Sequence, residues 1–91
     1  MIKAIVTVVG RDRTGIIARV STMLAEHDVN ILDITQTVMS EYFTMVMLTD
    51  VATCNTEFST LKQDLAALGR EMELSITIQH EDIFNAMHTV N

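Results

Sequence analysis

The residues best suited to chemistry form one short segment near the N-terminus, Arg11-Asp12-Arg13-Thr14-Gly15. It lies between an apolar run that ends at Gly10 and a second apolar run that begins at Ile16. This layout indicates a strand, a tight loop and the start of a helix. Backbone amides in the first turn of a helix have no partner within the helix, and the helix dipole is positive there. The segment therefore predicts a site that attracts a carboxylate or a phosphate.

The charges of this segment favour a zwitterion over a simple polyanion. Arg11 and Arg13 strengthen the attraction for an anion, whereas the Asp12 carboxylate can accept a hydrogen bond from an ammonium group. A loop that carries both kinds of group suits a free amino acid. The residues alone also allow a purely structural interpretation, in which Thr14 caps the helix and the charged side chains are solvated.

The composition indicates one small domain and excludes several partners. The chain has 91 residues and a net charge of −6, with only six Lys and Arg residues. Nucleic acid and anionic membranes are poor partners for it, because binding to either depends on basic side chains. The apolar runs are far shorter than the roughly 20 residues of a membrane span, and no signal peptide precedes them. Together with the single cysteine, Cys54, these features predict a cytoplasmic protein.

Neither the histidines nor the cysteine indicates a metal or a cofactor. His80 stands beside Glu81 and Asp82, but solvated surface histidines are the prediction for His27, His80 and His88. Cys54 has no flanking Lys or Arg that would activate its thiol. The seven methionines are interpreted as fillers of a core that is poor in aromatic side chains.

Hydrophobic periodicity predicts four strands and three helices. Two of the strands, 2–9 and 42–49, are apolar on both faces and so belong in the centre of a sheet. A two-residue turn, Ser40-Glu41, connects the strand 29–39 to the second of them. The fourth strand alternates strictly from Leu74 to Ile78.

Three amphipathic helices complete the pattern. The first begins after Thr14 and ends near His27 or Asp28, and the second begins near Phe58 and stops at Gly69. A short C-terminal helix begins with two acidic residues at 81 and 82.

The order of these elements is βαββαβ followed by a helix, which defines an α+β class with a ferredoxin-like sandwich. Right-handed crossovers give a four-stranded antiparallel sheet of order 4-1-3-2 with the two long helices on one face. Residues 1–80 then form the domain, and residues 81–91 form a short amphipathic helix and tail. The C-terminal helix or a second copy of the chain must cover the other face of the sheet.

Two segments resemble the ACT domain family. Asp12-Arg13-Thr14-Gly15-Ile16-Ile17 resembles the Asp-x-Pro-Gly-aliphatic-aliphatic motif that opens the first helix of ACT domains, and Asp28-Val29-Asn30-Ile31 is similar to the segment entering their second strand. The chain is most similar to small bacterial proteins of uncharacterised function that consist of one ACT domain, and less so to the ACT repeats of glycine-cleavage regulators. Thr14 replaces the usual proline, a mild change because threonine can also begin a helix.

The resemblance implies a non-catalytic regulatory module that binds an amino acid between paired domains. The loop from Arg11 to Gly15 would hold the ligand together with the start of the second strand of a neighbouring subunit. Asp12 would bond the ligand, and Gly15 would let the backbone approach it. The implied ligand-binding residues are Arg11, Asp12, Arg13, Thr14, Gly15, Ile16, Asn30 and Ile31. The implied partners are a second copy of the chain, a small-molecule ligand and a regulated protein in trans.

Two alternatives belong to other classes of function. One is a structural oligomerisation module that binds no ligand. The other is a small phosphatase of the acylphosphatase kind, in which Arg11, near Gly10 and Gly15, would hold a phosphate and Asn30 would orient water. Against the phosphatase, the Asp12 carboxylate would repel a phosphoryl group in the same loop.

Overall fold

Alternating and periodic apolar residues produce the predicted order of elements. The computed structural model describes residues 1–88, so the last three residues of the predicted tail lie outside the described part of the chain. Within residues 1–88 the elements are β1 (Lys3–Arg11), α1 (Ile16–Glu26), β2 (Asn30–Met39), β3 (Tyr42–Asp50), α2 (Phe58–Met72), β4 (Leu74–His80) and α3 (Glu81–His88). The predicted βαββαβ order with an added C-terminal helix is confirmed.

The four strands form one antiparallel sheet in the order β2-β3-β1-β4, which is the predicted order 4-1-3-2 read from the other edge. The central strands β1 and β3 pair along their whole length, from Lys3 opposite Asp50 to Arg11 opposite Tyr42. β2 and β4 are the two edges. This order explains why β1 and β3 carry apolar residues on both faces.

The core lies between the sheet and the two long helices. From the sheet, Val6, Met47 and Ile78 are opposite one another in register and are buried. Leu24 of α1 and Leu65 of α2 are fully buried in the same cluster. The buried hydroxyl of Thr49 donates a hydrogen bond to the Ala4 carbonyl over 2.8 Å, so this polar group remains satisfied.

The predicted stop of α2 at Gly69 is wrong. The helix continues to Met72, and Glu73 ends it in the left-handed conformation with φ 59°. Gly69 is buried against β4, where an added Cβ would lie 2.6 Å from the Leu74 carbonyl oxygen. Residue 69 is therefore glycine because helix and strand approach closely there. The helix ends at its C-cap, Glu73.

The short helix α3 partly covers the other face of the sheet. It contacts β1 and β4, and the Gln79 side-chain amide donates to the Met87 sulfur over 3.2 Å. Ile83 and Met87 nevertheless remain exposed, as does Val9 on β1. None of the helices in residues 1–88 is long and apolar enough to cross a membrane.

Candidate functional site

The loop between β1 and α1 is held by the tip of the β2–β3 hairpin. Ser40 and Glu41 form the predicted two-residue turn of that hairpin. The Asp12 amide donates to the Glu41 carbonyl over 2.7 Å. Arg11, predicted in the loop, is instead the last residue of β1 and lies opposite Tyr42. The loop proper is therefore short, and its first amide already has a partner.

The helix α1 begins at a glycine in the left-handed conformation, so the predicted cap by Thr14 is wrong. Gly15 is the N-cap, with φ 88° and ψ 6°, and no side chain caps the helix. Glycine adopts this conformation readily because it has no Cβ to crowd the backbone. The backbone geometry at Gly15 therefore determines where the helix starts, and the first amides of the helix are left uncapped.

These uncapped amides face a cavity of about 380 Å³. The first helical hydrogen bond runs from the Arg19 amide to the Gly15 carbonyl over 2.9 Å, so the amides of residues 16–18 have no acceptor within the helix. The residues that line the cavity are Asp12, Arg13, Gly15, Ile16, Ile17, Ala18, Gln36, Val38 and Phe43. The Asp12 carboxylate forms no hydrogen bond or ion pair with any residue in the described range 1–88. Unpartnered donors and one free carboxylate thus share the cavity.

The two arginines of the segment have other partners. The Arg13 Nη1 donates to the Met72 carbonyl at the end of α2 over 3.1 Å, which ties the loop to the second helix. The Arg11 side chain is 76% exposed and lies 3.9 Å from the Glu41 carboxylate, a weak surface ion pair. Arg11 is also absent from the cavity lining. Arg13 therefore lines the cavity with its charged guanidinium tied to α2, and Arg11 does not reach the lining.

The structure does not bring Asn30 and Ile31 to the loop within one chain. Asn30 lies opposite Asp50, whereas the loop follows the end of the sheet where Met39 lies opposite Tyr42. Nine residues of strand separate these ends, or roughly 30 Å. The prediction that a neighbouring subunit supplies Asn30 and Ile31 stays a prediction.

Two residues of β2 that sequence reasoning missed do line the cavity, Gln36 and Val38. They lie opposite Met45 and Phe43 and so share the helix-facing side of the sheet. The predicted hairpin turn could have identified both residues. Counting back from the Ser40-Glu41 turn places these alternate residues beside the end of β1.

His27 is not the solvated histidine that was predicted. Its side chain is only 14% exposed, with Nε2 2.8 Å from the Asp64 carboxylate and Nδ1 2.7 Å from the Met23 carbonyl. The hydrogen bond to Asp64, followed by the one to Met23, raises the pKa of His27 above its usual 6.5. This histidine connects the end of α1 to α2.

The remaining candidates have ordinary surroundings. His80 stacks on Phe58 with ring centroids 4.0 Å apart, and His88 stacks on Phe84 at 4.2 Å. Cys54 is half-buried, with its sulfur 3.6 Å from the Thr56 hydroxyl. Across residues 1–88, no three His, Cys, Asp or Glu side chains converge where they could hold a metal ion.

The fold is a small α+β sandwich in which an uncapped helix start borders a cavity. The ACT domain family model matches residues 3–79, and the chain belongs to this family. A UPF0237 protein of Methanocaldococcus jannaschii is 47% identical over 90 residues, which are 99% of this chain and 100% of the relative. The resemblance therefore extends beyond bacteria.

Solved structures agree with this assignment. An ACT domain protein from Streptococcus pneumoniae has a TM-score of 0.79 and 40% identity, covering 99% of this chain and 98% of that one. The regulatory subunit of aspartate kinase from Thermus thermophilus has a TM-score of 0.65 and 22% identity, covering 86% of this chain and 50% of its own, and shares the fold. ACT domains are regulatory ligand-binding modules, not catalysts, and they commonly oligomerise.

Proposed function

We propose that this chain is a non-catalytic regulatory module that binds a small metabolite, an amino acid in the first instance, in the cavity at the start of α1. One observation carries the proposal: the unpartnered amides of residues 16–18 and the free Asp12 carboxylate line the same cavity. The amides suit the carboxylate of an amino acid, because they add to the positive end of the helix dipole. Asp12 suits the ammonium group.

The proposed site is completed at a homodimer interface. β2 is an edge strand, and its apolar residues Leu32, Ile34, Val38 and Met39 are all exposed. Antiparallel pairing of two β2 edges would place the start of one strand beside the end of the other. A second copy would then bring its Asn30 and Ile31 to this loop, which is the arrangement that the resemblance implies.

The wider role follows from the same assignment. We propose that residues 1–80 form the domain and residues 81–91 an accessory segment, in a cytoplasmic protein that regulates a separate protein in trans. The net charge of −6 and the single cysteine support this setting, since neither suits a nucleic-acid partner or a disulfide-bonded exterior.

The structure disfavours the phosphatase alternative. A phosphoryl group needs a free cation in its loop. Arg11 is absent from the cavity lining, and Arg13, which lines the cavity, is held by its bond to the Met72 carbonyl. The loop carboxylate of Asp12 would repel the group. Binding without turnover is the better match to these contacts.

A thermal-shift screen of the purified protein against the twenty amino acids tests the proposal. A ligand at one hundred times its Kd stabilises the folded form by about 2.7 kcal/mol, so at least one amino acid should raise Tm. Asp12→Ala should abolish that rise, and sedimentation should show an unchanged dimer. Asp82→Ala, which removes an exposed acid of α3, is the matched control and should keep the response. No shift with any amino acid at millimolar concentration would support a structural module instead.

A further inference from the structure

We infer that the cavity selects amino acids with an uncharged side chain, aliphatic or amide, and that Gln36 and Val38 of β2 determine this choice. The inference rests on the proposed function and adds the chemical class of the ligand. Neither β2 residue belongs to the loop that holds the two ends of the zwitterion.

The orientation of the ligand follows from the two polar ends of the cavity. With its carboxylate at the amides of residues 16–18 and its ammonium at Asp12, the ligand directs its side chain at the remaining wall. That wall consists of Gln36 and Val38 from β2 and Phe43 from β3. Gln36 and Val38 are two residues apart in the strand, so both project from the same face of the sheet.

The remaining wall carries no charge. Val38 is 51% exposed and Phe43 is buried, and both are apolar. The Gln36 amide forms no hydrogen bond with any other residue in the described part of the chain, so its donor and acceptor are both free. An aliphatic side chain can pack on Val38, and an amide can exchange hydrogen bonds with Gln36.

Charged side chains find no counter-charge on the wall formed by Gln36, Val38 and Phe43. An acidic side chain directed at Gln36 and Val38 would meet no cation on that wall. Arg13 also lines the cavity, but it belongs to the loop and its guanidinium is tied to the Met72 carbonyl at the end of α2. A basic side chain would find only the Asp12 carboxylate, which the ligand's own ammonium already occupies. An unpaired charge in a partly desolvated site is costly, so both classes are rejected.

Titration calorimetry with leucine, glutamine, aspartate and lysine tests the inference on the intact protein. We expect leucine or glutamine to bind at least tenfold more tightly than aspartate and lysine. Gln36→Leu should weaken glutamine about tenfold relative to leucine. Val38→Lys should improve aspartate about tenfold relative to leucine, because it supplies a cation on the wall that the ligand side chain faces. Thr37→Leu, which changes the opposite face of the same strand, should leave the order unchanged.

The outcomes separate the inference from the proposed function. Preferential binding of aspartate or lysine by the wild type would overturn the inference and leave the amino-acid module standing. An unchanged order of ligands in both Gln36→Leu and Val38→Lys, with circular dichroism showing intact folds, would overturn the role of these two residues. No binding of any of the four, nor of the other amino acids, would overturn the proposed function and the inference with it.

Discussion

The His27 imidazole and the Asp64 carboxylate lie 2.8 Å apart and join the end of α1 to the middle of α2. The second ring nitrogen of His27 faces the Met23 carbonyl at 2.7 Å, so both nitrogens have an oxygen as neighbour. Only the protonated ring can donate to both oxygens at once. The geometry therefore stabilises the imidazolium, in agreement with the raised pKa of His27.

This contact makes stability depend on pH in a known direction. The pKa of His27 is higher in the folded state than the usual 6.5, so its contribution is complete below that pH and is lost as pH rises through the folded-state pKa. We expect His27→Gln to lower the unfolding free energy by about 1 kcal/mol at pH 6 and by clearly less at pH 9. Urea denaturation at both pH values measures the difference. Asp64→Asn should remove the same dependence, and an equal loss at both pH values would contradict the assignment.

Gly69→Ala should destabilise the protein although alanine is the better helix former. The added Cβ would lie 2.6 Å from the Leu74 carbonyl oxygen, which is backbone and cannot rotate away. The resulting displacement of α2 from β4 should cost about 1 to 3 kcal/mol, more than the gain of about 1 kcal/mol in helix propensity. Gln63→Ala, at an exposed position of the same helix, is the control and should stay within about 0.5 kcal/mol of wild type in urea.

Gly15→Ala tests the left-handed start of α1 without a steric clash. No atom lies within 4 Å of a Cβ built at this position, so only the φ of 88° opposes a side chain. We expect a loss of about 1 to 2 kcal/mol in unfolding free energy. Gly15→Asn should lose less, because asparagine tolerates this region better. Equal losses for the two variants would show that conformation is not the cause.

Met47→Ala tests the role of methionine in the core. The side chain is fully buried in the sheet, so its removal leaves a cavity and should cost about 2 to 5 kcal/mol in urea. Met87→Ala is the matched control in α3, where the side chain is 63% exposed, and should change stability by less than about 0.5 kcal/mol. Similar losses at the two positions would contradict the packing described above.

The order of the elements could be predicted because it depends on local patterns. Alternation identified β4 and the two central strands, and the sheet order followed from general rules on crossovers. Three local predictions failed, two of them because a contact with another element decides the outcome and one because of the adjacent residue. Gly69 is small because β4 approaches it, Thr14 gives way to the backbone geometry of Gly15, and His27 is held by Asp64, 37 residues away.

The loop of the candidate site could be predicted directly from the sequence. The residues of β2 that line the cavity were not predicted. The pattern around Asp12 and Gly15 identified where the helix starts, although it assigned the cap to Thr14. The bond from Arg13 to Met72 spans 59 residues of sequence and ties to α2 an arginine that also lines the cavity. Gln36 and Val38 reach the cavity only through the register of β2 against β3. The contact of Arg13 leaves no local pattern, whereas the register of β2 could be counted back from the Ser40-Glu41 turn.

The hydrogen bond between the Asp12 amide and the Glu41 carbonyl holds the loop beside the single tyrosine of the sequence. Tyr42 follows directly in the chain and lies opposite Arg11, half exposed, at the corner of the sheet beside the loop. The sequence contains one tyrosine and no tryptophan. Intrinsic emission of the unlabelled protein therefore originates at this single corner, and fluorescence can follow the loop without an added dye.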